Sequence, residues 1–309
     1  MVAFVGEAEA EIPKKKGFWD VLLSEKYFRW TLLIPLLVTL AVFMLYPLFF
    51  SIYYSFNTFA PGKPTIFVGL ENFRYVLHDV RVFWPALFAQ FKILVGCLTA
   101  ELVFGMLVAL LLNREFKGQN VVRGLCLLPL LISPLVVSLV WNFLLHYDYG
   151  LVNQVLSGMI GLPKISWWGT NMAIVSIILL TSWQWIPFSI FVLLAGLRSL
   201  PRDVFEAATV DGATRWYTFR RLTLPMLSPL ILIIIMLRTM WLMRIFDPLY
   251  ATTRGGAGTE TLDWVIFRVV FMYFDLGLGS ALAIISLFIT IIFSFIVFRL
   301  LMRALGVIK

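Results

Sequence analysis

The feature that most restricts this chain is its supply of apolar segments long enough to cross a bilayer. A helix rises 1.5 Å per residue, so about 20 residues cross roughly 30 Å of hydrocarbon. Six segments reach that length, with boundaries at about Trp30–Tyr53, Pro85–Leu112, Gly124–Leu145, Met172–Leu194, Pro225–Phe246 and Gly277–Phe298. A chain that is 61% hydrophobic and only 14% charged cannot hide that surface in water, because much of a soluble domain's exterior must be polar. Lipid removes the conflict, and 11 Trp suit two membrane–water interfaces. The expected fold is an all-α integral membrane protein of six transmembrane helices. It reads as one membrane domain over 30–302, with tails at 1–29 and 303–309.

Charge placement orients the bundle. With both termini inside, the inner segments carry more than twice as many Lys and Arg as the outer loops, and the positive-inside rule selects that arrangement with cytoplasmic termini. The formal charge of +8 is thereby read as cytoplasmic loops, not as a nucleic-acid surface. Residues 1–26 mix Glu7, Glu9 and Glu11 with Lys14, Lys15 and Lys16 and lack a continuous apolar core, so they read as a cytoplasmic tail, with a short interfacial helix near Phe18–Phe28, and not as a cleavable signal. The outer loop Asn57–Trp84 has room for a small structured element. The segment Asp263–Asp275 is apolar but too short to span, and is expected at the outer interface or dipping into the bundle.

Several chemistries lack their residues. Cys97 and Cys126 fall in apolar segments without a CxxC or Cys/His cluster, and His78 and His146 lie far apart in loop-like sequence. No metal site is expected. Paired acids or a Ser/His set for catalysis are not evident, and no catalytic residue is assigned. The phosphate-cradling GxxxxGK[ST] pattern is absent, so a nucleotide site would belong to another chain.

The most informative loop is 198–224, RSLPRDVFEAATVDGATRWYTFRRLTL. Pro201 suits a first helical turn with Ser199 or Leu200 near the cap, and Asp203 and Glu206 complement the dipole. Gly212 can end this helix at positive φ, Thr214 can cap a second helix to about Leu222, and Pro225 can open the fifth span. The result is a helix–turn–helix at the cytoplasmic surface. Small Ala207, Ala208, Gly212 and Ala213 permit close approach of another surface, and the aromatics around them can anchor in pockets. An ordinary interfacial loop would share much of this character.

The spacing resembles the EAA loop of binding-protein-dependent ABC permeases: Glu206-Ala207-Ala208, three residues ending in Asp211, Gly212, nine residues, Leu222, one residue, Leu224-Pro225. Leu222 stands where Ile is usual. VGLENF at 68–73, YGLVN at 149–153 and TETL at 259–262 are similar to motifs of the carbohydrate-uptake subgroup, the maltose, glycerophosphate and trehalose-like class. The resemblance implies a type I ABC importer permease bundle in a bacterial cytoplasmic (inner) membrane, multi-pass. It implies a second homologous permease subunit, an ATP-binding cassette ATPase dimer that binds ATP and Mg, and an extracytoplasmic substrate-binding protein, all within membrane lipid. On that reading Glu206, Ala207, Ala208, Asp211, Gly212, Leu222, Leu224 and Pro225 couple the ATPase to the helices. No cofactor is expected in this chain.

Charges inside a bilayer are costly and default to function. Glu101 and Arg238 fall at matching depth, roughly 18–20 Å from the inner boundary by helix rise, and could pair between helices. Lys92 and Arg244 lie nearer the outer boundary and could snorkel, with Asp247 three residues beyond Arg244. A structural ion pair competes with a direct substrate role for Glu101 and Arg238. Asn142, Gln184, Trp141, Trp183, Trp185 and Trp241 supply hydroxyl-bonding and ring-stacking chemistry for a sugar, with interfacial anchoring the rival role for each Trp. The expected function is translocation of a sugar, oligosaccharide or polyol by alternating access. A phosphorylated polyol such as glycerol phosphate is the alternative, because two arginines could answer a phosphate. An ion-coupled secondary transporter has only Glu101 as a deep carboxylate.

Overall fold

The computed structural model describes residues 25–304 apart from positions 60 and 63. Most of the tail expected at 1–29, with the start of its interfacial helix, and most of that at 303–309 lie outside the described residues. The chain divides into two compact units, Met1–Tyr53 and Tyr54–Lys309. In the first, α1 (Glu25–Leu40) runs through a five-residue π turn (Ala41–Leu45) into α2 (Tyr46–Ser55), giving an apolar span over Leu33–Ser55.

The second unit begins with a small structured element, as the length of the outer loop allows. Strands β1 (Asn57–Thr58) and β2 (Ile66–Phe67) pair antiparallel, and α3 (Glu71–His78) follows. Asn72 of the VGLENF segment donates to the carbonyls of Ser55 and Asn57, both at 3.0 Å, tying α3 to the hairpin. Four long helices then carry the bundle: α4 (Phe83–Leu112), α8 (Ala173–Ser199), α11 (Leu224–Leu242) and α14 (Leu276–Ala304). Between them lie α5 (Gln119–Leu131), α6 (Pro134–Leu144) and α7 (Leu151–Gly158), then the surface pair α9 (Arg202–Val210) and α10 (Arg215–Thr218), then α12 (Asp247–Ala251) and α13 (Leu262–Phe267).

Among the described residues, five helical segments are long and apolar enough to cross a membrane, and a sixth crossing needs the bent pair α5–α6 taken together. The continuous third span expected over Gly124–Leu145 is broken there by 97°. Proline explains the break. Pro134 disfavours helical backbone at the residue before it, and Ile132 and Ser133 are extended at ψ 139° and 137°. The fifth span departs the other way. Pro225 stands in the first turn of α11, as its sequence position predicts, but α11 is continuous with the helix before it, from Arg215 to Leu242. A π turn at Phe219–Thr223, just ahead of Pro225, widens the backbone where the proline ring would otherwise meet the preceding turn. The short segment after Asp263 is drawn into the bundle, with Leu262, Trp264, Val265 and Val269 buried against α4 and α14.

Helix α8 is the hub, packing on α4 most extensively and also on α5, α6, α11 and α12. Without a hydrophobic drive between helices in lipid, close backbone approach is what holds them. Gly105 of α4 provides it: a Cβ there would lie 2.6 Å from Ser189 Cβ of α8. Two apolar clusters flank this contact along the bundle, one around Ile93, Cys97, Ile177 and Leu242, the other around Met106, Ile190, Leu193 and Ile234. Gly105→Leu is expected to push α4 from α8 at a cost of about 1–3 kcal/mol, the usual range for overpacking, measured as a lower melting temperature of the detergent-purified chain relative to Gly105→Ala and wild type.

Candidate functional site

Between the two apolar clusters lies one buried ion pair. Arg238 on α11 donates from Nε to Glu101 Oε2 and from Nη2 to Oε1, both at 2.6 Å, across α4 and α11. Both side chains are buried, at 2% and 0% exposure. The pairing expected from matched depth is therefore realised as a two-bond fork, the geometry that gives arginine–carboxylate contacts strength and direction. The guanidinium carbon also lies over the ring of Trp185 of α8, 4.2 Å from its centroid, and Trp185 packs against Trp241 at 4.8 Å.

Trp185, Arg238 and Trp241 line a cavity together with Gln184, Thr181 and Pro134 and, on its far side, Arg244 and Asp247. The broken span meets the bundle here. Gln184 donates from Nε2 to the carbonyl of Ile132 at 2.8 Å, satisfying a group that the break frees. The hydroxyl of Thr181 is buried, with no hydrogen-bond partner among the described residues. At about 40 Å³ the cavity holds a few waters but no sugar ring, since ligand pockets run to roughly 300–1,000 Å³.

Trp141, Trp183, Asn142, Glu101 and Lys92 do not line this cavity, whereas Arg244 and Asp247 do. Trp141 and Trp183 pair edge-to-face at 5.9 Å and are not among the cavity residues; Trp183 and Trp185, two apart on a helix, face different ways. Asn142 donates to the Ala251 carbonyl at 3.1 Å, fastening α6 to α12. Glu101 stands behind Arg238 and does not reach the cavity wall. Lys92 and Arg244 are exposed. Arg244 forms no ion pair with Asp247 among the described residues; its charge acts instead on Asp263 of α13. Two further buried amides, to which the sequence pattern assigns no hydrogen-bonding role, fasten the backbone. Gln90 donates to the Leu242 carbonyl at 2.5 Å and accepts from the Leu262 amide at 3.3 Å. Asn153 of the YGLVN segment makes four hydrogen bonds, to Tyr147, Ile165 twice, and Trp167.

The loop between α8 and α11 forms the helix pair its sequence predicts. Gly212 has φ 75°, the Ala213 amide bonds the Ala208 carbonyl at 2.9 Å, and the Gly212 amide bonds Thr209 at 3.1 Å. These are the two bonds of a Schellman ending. Thr214 caps α10 by accepting from the Tyr217 amide, while the N-cap of α9 is Pro201 itself, one residue later than expected. Ala207, Ala208, Asp211, Gly212 and Leu222 line one open groove of about 750 Å³. Glu206 faces a second groove with Arg198 and Arg202, and Leu224 lines a third, apolar one. Val210, 87% exposed at the end of α9, is an apolar contact that sequence reasoning passed over.

Hydrogen-bonding and ring-stacking groups thus line a small cavity of this helical bundle, and a helix pair stands on its surface. The chain belongs to the family described as binding-protein-dependent transport system inner membrane component, whose pattern matches residues 101–306. It is 34% identical over 279 residues to the trehalose/maltose transport system permease protein MalF of Thermococcus litoralis, covering 88% of this chain and 92% of that one. It is 33% identical to the sulfoquinovosyl glycerol transport system permease protein SmoG of Agrobacterium fabrum, covering 90% of each. Solved structures of a bacterial ABC transporter for alginate share the fold, one at TM-score 0.79 with 23% identity over 92% of this chain and 98% of that one, and one in complex with an alginate pentasaccharide-bound periplasmic protein at TM-score 0.78 with 21% identity over 93% and 98%. The chain is a membrane transport component and not an enzyme.

Two outcomes follow from this geometry. Glu101→Gln or Arg238→Met alone strands a buried partner and is expected to cost about 3–5 kcal/mol, while the double change Glu101→Leu/Arg238→Met recovers most of it; thermal unfolding of the three variants in detergent measures this. Burial raises the Asp263 carboxyl to about 6 against the lowering effect of Arg244. The folded chain therefore holds its proton more tightly than the unfolded one, and loses stability as pH rises from about 4 through 6. Asp263→Asn is expected to match wild type near pH 4 and to melt higher above pH 6.

Proposed function

We propose that the chain is the permease subunit of an ATP-driven importer that passes a neutral sugar, oligosaccharide or polyol across a bacterial inner membrane by alternating access. The carrying observation is the fork between Arg238 and Glu101. Arg238 at the cavity wall is already neutralised, and Arg244, on the same wall beside Asp247, lies in the field of Asp263. Gln184 and the Trp185–Trp241 rings on that wall suit hydroxyl groups and flat sugar faces. The trehalose/maltose, and sulfoquinovosyl glycerol, relatives support the carbohydrate class.

The small cavity fits a path shut at this level, which a conformational change must open. The surface helix pair is the element to receive that change from a partner ATPase dimer, which binds ATP and Mg. Its Schellman ending fixes Ala207, Ala208, Asp211 and Gly212 as one groove wall beside the exposed Val210. A substrate-binding protein delivers the solute from outside, a role supported by the alginate transporter's complex with a pentasaccharide-bound periplasmic protein, and a second permease subunit completes the path.

Uptake of labelled trehalose, maltose and glycerol 3-phosphate into vesicles carrying the complete transporter tests this reading. Sugar uptake that needs ATP and survives an ionophore is expected; uptake of the phosphate ester alone, or collapse with the ion gradient, overturns it. Gly212→Trp and Glu206→Lys are expected to insert and assemble but to hydrolyse ATP without matching transport. Coupling equal to wild type in both removes the docking role of the loop.

A further inference from the structure

Glu101 has no access to the cavity, yet everything on one wall of that cavity leads back to it. Its two oxygens take two of the guanidinium's donors in a planar fork, so the plane of Arg238 is fixed by the carboxylate. The guanidinium so fixed stands over the Trp185 ring at 4.2 Å, and Trp185 in turn packs against Trp241. Trp241 is 57% exposed, so its own helix does little to hold it. The order of support runs from α4 to α11, on to α8, and back to α11. It starts at a fully buried carboxylate and ends at the rings that face the solute.

We propose that Glu101 is a positioning residue for transport: acting through Arg238, it sets the Trp185–Trp241 wall of the sugar path, beyond its role in holding helices together. The proposal rests on the reading of this cavity as the path. A lysine at 238 keeps the buried charge opposite Glu101 but has neither fork nor flat face, so it separates positioning from charge compensation. Cation–π contacts contribute about 0.5–2 kcal/mol, equivalent to about 2- to 30-fold.

The test uses the complete transporter in proteoliposomes, with trehalose or maltose as probe, whichever the uptake panel above shows to be carried, and reads sugar moved per ATP hydrolysed together with complex yield and melting temperature. Arg238→Lys and Trp185→Leu are each expected to keep yield and melting temperature near wild type while sugar moved per ATP falls about fivefold, within that range. Trp185→Phe, which retains a ring face for the guanidinium, is expected to restore most of it. The double variant Arg238→Lys/Trp185→Leu is expected to be no worse than the poorer single, because both break one line of support. Glu101→Leu/Arg238→Met is expected to regain stability but not transport.

Normal sugar per ATP in Trp185→Leu, losses that multiply in the double variant, or full transport by Glu101→Leu/Arg238→Met each overturn the proposal. Should Arg238→Lys fail to assemble, the Trp185→Leu and Trp185→Phe pair decides alone. Trp241→Ala separates the two levels of argument. Full transport there sinks the path itself. Lost transport there, beside normal transport in Arg238→Lys, leaves the path standing and refutes the positioning role.

Discussion

The fork between Arg238 and Glu101 is the constraint around which the bundle is arranged. Two charges taken out of water are costly, and their attraction repays that only with good geometry. The geometry here depends on α4 and α11 standing at a fixed distance and rotation, with α8 closing the third side through Trp185. Apolar clusters flank the pair along the bundle axis. They exclude the water that would otherwise weaken it, and the pair in turn fixes the register in which those otherwise interchangeable Leu and Ile side chains meet.

A second rule governs the irregular backbone. In lipid every exposed peptide group must find a partner within the protein. Side-chain amides carry that duty here. Gln184 serves the break between α5 and α6, Gln90 bridges the end of α11 and the start of α13, Asn153 pins the loop beyond α7, and Asn72 pins the hairpin to α3. Each is neutral, so it can be buried without a counter-charge, and each offers donors and an acceptor at one point.

These two rules explain what could be read in advance. Segment length located five spans, and depth arithmetic paired Glu101 with Arg238, because helix rise is nearly invariant. Gly212 and Thr214 were legible because caps are local chemistry. The 97° break was not, because length and composition treat 119–144 as one apolar stretch, although Pro129 and Pro134 were its available signals. The continuity through Pro225 was hidden because a π turn leaves no sequence mark. The grouping of Trp185 with Arg238, apart from Trp183, needed the rotation of α8, which a hub surrounded by partners conceals. Gln90 and Asn153 were passed over since a lone amide looks the same on a surface as in a core.

The break between α5 and α6 also dictates an order of events during biogenesis. Its halves have 13 and 11 residues, about 20 Å and 16 Å of helix, so neither can be accepted by the membrane alone. The group that receives the Ile132 carbonyl is Gln184, 52 residues further on. Until α8 has been synthesised and inserted, a bent form would leave that carbonyl bare in hydrocarbon. The bend at Ile132 is therefore complete in its hydrogen bonding only once the hub helix stands beside it.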